Sequence, residues 1–288
     1  MTFLILVLCI TSLVLLITWA KVNPFLAFLI VSIVAGLMLG MPLTTIGKSV
    51  NKGIGDTLGS ILIVIVLGGM LGKLVAESGA AQKIADYLRK TFGDKNMVWA
   101  MTLTGFIVGI PLYYNVGFVL LVPIIFSVAY NFKQPVVYVG VPMLASLSVM
   151  HGFLPPHPSP MALLTQFKAD MGMTFFYGII IAIPTIIVAG PLFAKTLKKI
   201  KSSSSQVFTF TEVAEDKLPG AANSFLSALL PVILIAATTI TEKLSADGTQ
   251  LKSLAIFFGD ANLVMLITII IATYTLGIKM GKRLIEVM

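Results

Sequence analysis

Nine stretches of the chain are almost wholly apolar, at residues 3–20, 24–41, 58–76, 97–112, 116–130, 135–150, 173–193, 225–240 and 254–278. Their apolar residues run on without the polar interruptions of a surface helix, so each predicts a helix in an apolar solvent rather than one face of a soluble core. Most approach the roughly 17 to 25 residues that a bilayer-spanning helix needs. The expected fold is therefore all-α, a polytopic membrane protein of about nine apolar helical segments, some of them broken helices or hairpins. The runs at 97–112 and 116–130 are short, and little more than Tyr113, Tyr114 and Asn115 separates them.

Three polar breaks interrupt this pattern. Residues 67–80 hold Gly68, Gly69 and Gly72, the pair Lys73 and Glu77, and the exit Ser78-Gly79, which predicts a hairpin or broken helix rather than a plain span. Lys73 and Glu77 share a helix face. Lys73 either extends its ammonium to the interface, or Glu77 serves as a proton-carrying carboxylate. The second break, at 109–117, carries Pro111, Tyr113, Tyr114, Asn115 and Gly117. It reads equally as a discontinuous helix offering free N–H groups to an anion or as a tight turn with interfacial tyrosines. The third, residues 151–160, holds both histidines of the chain, His151 and His157, and four prolines. Those prolines cannot continue a helix. Each histidine suits proton coupling or, alternatively, bracing of the loop.

Composition agrees with a membrane chain: 57% of residues are hydrophobic and 11% charged, against roughly 25% charged in soluble domains. The net charge of +8 does not point to nucleic acid, because the lysines cluster at the ends of apolar runs, as retention on the cytoplasmic side requires. With the N-terminus outside, 14 of the 20 Lys and Arg residues fall inside, provided that 97–112 and 116–130 count as two crossings. The first run lacks a preceding basic residue and a small-residue cleavage site, so it is expected to be a permanent helix. The single cysteine, Cys9, rules out an internal disulfide framework and a cysteine-rich metal site. Four glycine pairs spaced four apart, Gly36/Gly40, Gly55/Gly59, Gly68/Gly72 and Gly105/Gly109, mark stripes where helices can approach closely.

One long polar stretch, 195–220, with serines at 202–205 and mixed charges at 212–217, reads as a solvated cytoplasmic linker. It divides a first membrane repeat at 1–194 from the start of a second at 221–288. The histidine spacing does not fit a zinc pair, and no Cys, Asp or Glu lies in 151–160, so neither a metal nor a cofactor is expected. Ser159 near His157 lacks an orienting carboxylate, which disfavours a hydrolase.

The stretches Gly-Ile-Pro-Leu-Tyr-Tyr-Asn-Val-Gly-Phe-Val-Leu-Leu-Val-Pro at 109–123 and His-Gly-Phe-Leu-Pro-Pro-His-Pro-Ser-Pro at 151–160, with the glycine-rich run at 67–80, resemble the bacterial gluconate:proton symporter (gluconate permease, GntP-type) family over essentially the whole chain. The resemblance implies a multi-pass inner-membrane secondary transporter for gluconate and related sugar acids, with relatives that carry other small carboxylates such as D-serine. It also implies two inverted repeats and a homodimer whose transport domain moves like an elevator. Many members carry a carboxylate where this chain has Asn115, so a proton-carrying role there does not transfer. Members are usually longer, and a non-transporting truncated remnant is the second expectation. On this reading a sugar-acid carboxylate meets the N–H groups around Asn115, Gly117 and the glycine-rich segment at Gly68, Gly69, Ser78 and Gly79. Its hydroxyls meet Tyr114, Asn115, Ser146, Ser148 and Ser159, and the proton falls to His151, His157 or Glu77.

Overall fold

The computed structural model describes residues 2–200 and 214–281, and every regular element among them is helical. The middle of the polar linker and the terminal Lys282/Arg283 group lie outside the described residues. Among the described residues five helical stretches are long and apolar enough to cross a membrane: Leu43–Glu77, Val136–Phe167, Met171–Leu197, Ala221–Leu244 and Ala261–Met280. By length and composition the chain is thus a multi-pass membrane protein, and it packs as two compact units, Met1–Ser60 and Ile61–Met288.

The first unit holds α1 (Thr2–Thr18), α2 (Pro24–Met38) and the first half of α3 (Leu43–Glu77). Asn23 starts α2 by accepting the Phe25 N–H at 2.9 Å, and Pro24 fills a first-turn position that needs no donor. Gly40 ends it at φ 73°, a left-handed conformation open to glycine at no steric cost. Gly36 lets Ile46 pack close, whereas nothing lies within 4 Å of a side chain built at Gly55 or Gly59. Of the four glycine pairs, Gly55/Gly59 is therefore no close-approach stripe among the described residues.

α3 itself differs from the expected pattern. The apolar run 58–76 is only its second half, since the polar residues from Leu43 onward continue the same 35-residue helix. Gly68, Gly69 and Gly72 do not break it, because no proline interrupts residues 43–77 and single glycines cost a helix only about 1 kcal/mol each. The break comes at Ser78 and Gly79. Ser78 Oγ accepts from the Ala80 N–H at 3.3 Å, and Gly79 turns the chain at φ 78°. α4 (Ala80–Phe92) follows, burying Ala80, Ala81, Ile84, Ala85 and Leu88 on one face while Arg89 and Lys90 close its C-terminal turn.

The second unit is built around α7 (Val136–Phe153). α5 (Met97–Gly109) meets it at Gly105, where an added Cβ would lie 2.1 Å from the Met143 carbonyl oxygen, and at Gly109, which faces Leu147 and Met150. Residue numbers rise together along both helices, so α5 and α7 run in the same direction. α6 (Tyr114–Asn131) meets α7 in the opposite sense, with Gly117 against Leu147 and Ile125 against Gly140. α5 and α6 are the antiparallel arms of a hairpin whose tip, residues 110–113, lies beside the C-terminal end of α7.

After α7 the chain breaks at Leu154 to His157, with Pro155–Pro156 cis, and resumes as α8 (Pro158–Phe167). α9 (Met171–Ile187) then returns antiparallel to α7: Gly178 packs on Phe153, and Gly190, in the π-turn before α10 (Phe193–Leu197), packs on Pro142. α11 (Ala221–Leu244) packs against α4. The run 254–278, expected as one span, divides into α12 (Gln250–Phe258) and α13 (Ala261–Ala272), because Asp260 caps a new start by accepting from Asn262 and Leu263.

The contact at Gly105 sets a direct test. Gly105→Ala drives a methyl group into backbone that cannot rotate away, a strain of about 1–3 kcal/mol. Thermal unfolding in detergent should show its Tm lowered by several degrees, while Gly55→Ala, with open space around it, should leave the Tm unchanged or slightly raised.

Candidate functional site

Two of the three polar breaks, at 109–117 and 151–160, meet at the tip of the α5–α6 hairpin, against the unbroken glycine-rich face of α3. Pro111 ends α5 and leaves its last carbonyls without intrahelical partners. His157 supplies one partner: its Nε2 lies 2.9 Å from the Gly109 carbonyl oxygen, and its ring is 3% exposed. The Nδ1 atoms of His151 and His157 are 3.3 Å apart, with ring centroids at 4.9 Å. Tyr113 closes the group. Its ring centroid is 6.1 Å from that of His151 and 6.2 Å from that of His157.

The Tyr113 hydroxyl reaches α3, donating to the carbonyls of Ile65 at 2.5 Å and Val64 at 3.1 Å. It crosses α3 directly over Gly68, where any Cβ would come within 2.5 Å of the hydroxyl oxygen. Gly72, one turn on, makes room for Leu112 and the Pro111 carbonyl. The glycine-rich face of α3 is thus the seat of the hairpin tip, and Gly68 and Gly72 serve that contact. Residue pattern names Tyr113 in the second break but leaves it out of the substrate-binding residues. Its neighbour Tyr114 carries the same chemistry, and only packing against Gly68 distinguishes them.

Two helices begin here. Tyr113 is the N-cap of α6 and His157 the N-cap of α8, and neither side chain caps its own helix. Gly117 N–H is already bonded to the Tyr113 carbonyl at 2.9 Å, which leaves the first-turn N–H groups of Tyr114, Asn115 and Val116 outside the intrahelical ladder. α8 offers far less. Pro158 and Pro160 have no N–H, and Met161 N–H is bonded to the His157 carbonyl at 3.1 Å. Ser159 supplies its one remaining first-turn donor.

The other sequence candidates fall into groups. Asn115, Ser148 and Ser159 are exposed, and Asn115 and Ser159 lie in the two helix starts. Gly69 lies 3.8 Å from the Tyr113 ring, and Gly117 is filled by Leu147. Ser146 is fully buried and bonded to the Pro142 carbonyl at 2.8 Å. Ser78, Gly79 and Glu77 belong elsewhere. Glu77 is nine residues beyond Gly68, about 13 Å along α3. It pairs with Lys73 at 3.9 Å, both more than half exposed, and lines a cavity of 870 Å³ with Ser78, Asp216, Lys217 and Asn223. A pair so exposed contributes little to stability. Both ring nitrogens of His157 are engaged, so neither is available to activate Ser159.

The GntP family permease model matches the chain over residues 1–288. The chain is 43% identical to the high-affinity gluconate transporter of Escherichia coli K12, over 93% of its own length and 61% of that protein's. It is 40% identical to the Gnt-II system L-idonate transporter of the same organism, over 93% and 61%. It is 41% identical to the gluconate permease of Bacillus subtilis 168, over 97% and 65%. The chain therefore spans about three fifths of the length of these relatives. No solved structure matches it.

The bond from Tyr113 to α3 yields a second test. Tyr113→Phe removes one hydrogen bond, at a cost of about 0.5–1.5 kcal/mol, and Gly68→Ala displaces the same hydroxyl. Because the two share one contact, chemical unfolding should show the double variant less destabilised than the two single changes added together. Strict additivity would place the hydroxyl elsewhere.

Proposed function

The chain belongs to the GntP family of permeases, and from that membership we propose that it carries gluconate or a related sugar acid across the inner membrane by proton-coupled symport. Members of such a family move solutes and catalyse no covalent change, so the chain is not an enzyme. The observation that supports this site most is the convergence of two helix starts, α6 and α8, whose N-cap rings stand 6.2 Å apart. Helix N-termini carry partial positive charge and unpaired N–H donors, and together they seat a carboxylate without a cationic side chain. In this proposal the N–H groups of Tyr114, Asn115 and Val116 hold the acid group. The exposed Asn115, Ser148 and Ser159 side chains meet the sugar hydroxyls.

Depth favours the same site. α5 starts directly after the charged turn Asp94–Asn96, and its 13 residues rise about 20 Å. That falls short of the roughly 30 Å hydrocarbon core, so the hairpin tip ends within the membrane. Broken helices at such depth are tolerated where they line a cavity, and this is how secondary transporters build midplane sites. A relative named for L-idonate favours a range of substrates rather than one, since L-idonate is a stereoisomer of gluconate. A seat made of backbone N–H groups recognises the acid end that both share. Assembly as a homodimer is part of the same proposal.

Proteoliposomes containing the protein test this directly. Labelled gluconate should accumulate under an inward proton gradient, idonate should compete, and uncharged glucose should not. Accumulation indifferent to the gradient would remove the coupling ion, and competition by glucose would remove the carboxylate seat.

A further inference from the structure

Resting on the proton-coupled reading above, we propose that His151 takes up and releases the coupled proton at its Nε2, while His157 stays neutral and holds the His151 ring in place. The assignment follows from which atoms can donate. A carbonyl oxygen only accepts, so the Gly109 contact at 2.9 Å requires a proton on His157 Nε2. A neutral imidazole then presents His157 Nδ1 as an acceptor, and the nitrogen facing it at 3.3 Å, His151 Nδ1, carries the proton and donates. The chain of donors runs from His151 Nδ1–H to His157 Nδ1, and from His157 Nε2–H to the Gly109 carbonyl.

One ring nitrogen of the pair is left over. His151 Nε2 has no hydrogen-bond partner among the described residues, and no buried side-chain nitrogen or oxygen among them lacks one. His151 Nε2 therefore opens to the space outside the protein interior, consistent with a ring that is only half-buried. A proton arriving there forms an imidazolium whose Nδ1–H still donates to His157, now as a stronger, charge-assisted bond. The same proton on His157 Nδ1 would set two N–H groups against each other at 3.3 Å and destroy the contact. In the catalysed cycle the proton enters at Nε2 from one side of the membrane and leaves from Nε2 to the other, with no bond broken but N–H.

The surroundings leave this assignment to the pair itself. Tyr113, from the α5–α6 turn, is the titratable side chain in ring contact with both histidines, and its hydroxyl proton is committed to the α3 carbonyls. Among the described residues no Asp, Glu, Lys or Arg from α3, α5, α6, α8 or α9 bonds or pairs with either ring. An imidazolium at His151 also places a cation beside the two helix starts proposed to hold the carboxylate. Proton and acid substrate then favour each other's binding, the linkage that symport needs.

The chain contains two histidines, so protein labelled with nitrogen-15 at histidine and held in lipid bilayers gives two ring spin systems. Magic-angle-spinning NMR should show two different neutral tautomers at high pH, Nδ1–H for His151 and Nε2–H for His157. As the pH falls, only the Nδ1–H ring should convert to imidazolium. His157→Gln identifies the remaining signal, and the wild-type spectrum already decides the tautomers if that variant fails to fold. Two rings in the same Nε2–H form, or first protonation of the Nε2–H ring, would overturn the assignment. In the uptake assay His151→Gln should lose gradient-driven accumulation at least tenfold, and unchanged accumulation would take the coupled proton away from His151. Matching spectra without gluconate transport would leave the proton site standing and defeat the transport reading instead.

Discussion

Where Pro111 stops α5 and residues 154–157 stop α7, backbone polar groups lose their helical partners, at a cost of several kcal/mol each if buried and unmet. The fold meets that demand with side chains from the other broken segments. His157 from the α7–α8 break bonds the Gly109 carbonyl of the α5 end. Tyr113 from the α5–α6 break bonds the carbonyls of α3. The end of α5 is therefore satisfied from the α7–α8 break, and the hairpin tip is held to the unbroken face of α3, so these segments assemble as one unit rather than as separate defects.

Glycine makes this assembly possible. Gly105 and Gly109 bring α5 onto α7 at backbone contact, Gly117 and Gly140 bring α6 onto the same helix, and Gly68 admits the Tyr113 hydroxyl to the surface of α3. Without a hydrophobic drive between helices in lipid, such close packing is the main attraction available. Satisfying the carbonyl ends in this way leaves the opposite ends of the interrupted helices, the N–H groups opening α6, without protein partners. The proposed site rests on this asymmetry: the His157 side chain serves a carbonyl at the end of α5, and the N–H donors that open α6 are offered to a ligand.

Much of this was legible in the residue pattern. Unbroken apolar runs and prolines located most of the helices and the interruptions at 109–117 and 151–160, because both signals are local, whereas the glycines at 68–72 were read as a break and belong to an unbroken helix. The division of 254–278 was missed, because a single Gly259-Asp260 within a long apolar run reads as part of the span until Asp260 is seen to cap α13. The extent of α3 was missed too, since Lys48, Lys52 and Asp56 look like a loop until Lys52 and Asp56 pair at 2.8 Å one helical turn apart. The candidate site was partly legible. His151, His157, Tyr114 and Asn115 come together as a single neighbourhood. Glu77 seemed equivalent to them only because sequence carries no depth: nine residues of continuous helix separate it from Gly68 and take it to a cavity lined by Ser78, Asp216 and Asn223. Tyr113 could not be told from Tyr114, because the choice is made by an absent side chain 45 residues earlier in the chain, at Gly68.

The central claim is that the openings of α6 and α8 form one seat for an acid. It is tested most directly by replacing the sole native cysteine, Cys9, and introducing single cysteines by Asn115→Cys, Ser159→Cys and Ser78→Cys, then measuring thiol labelling with and without gluconate. The account predicts that gluconate slows labelling at positions 115 and 159 together, with one concentration dependence, and leaves position 78 unaffected. Protection at position 78 alone, or at 115 and 159 with unrelated concentration dependences, would contradict it.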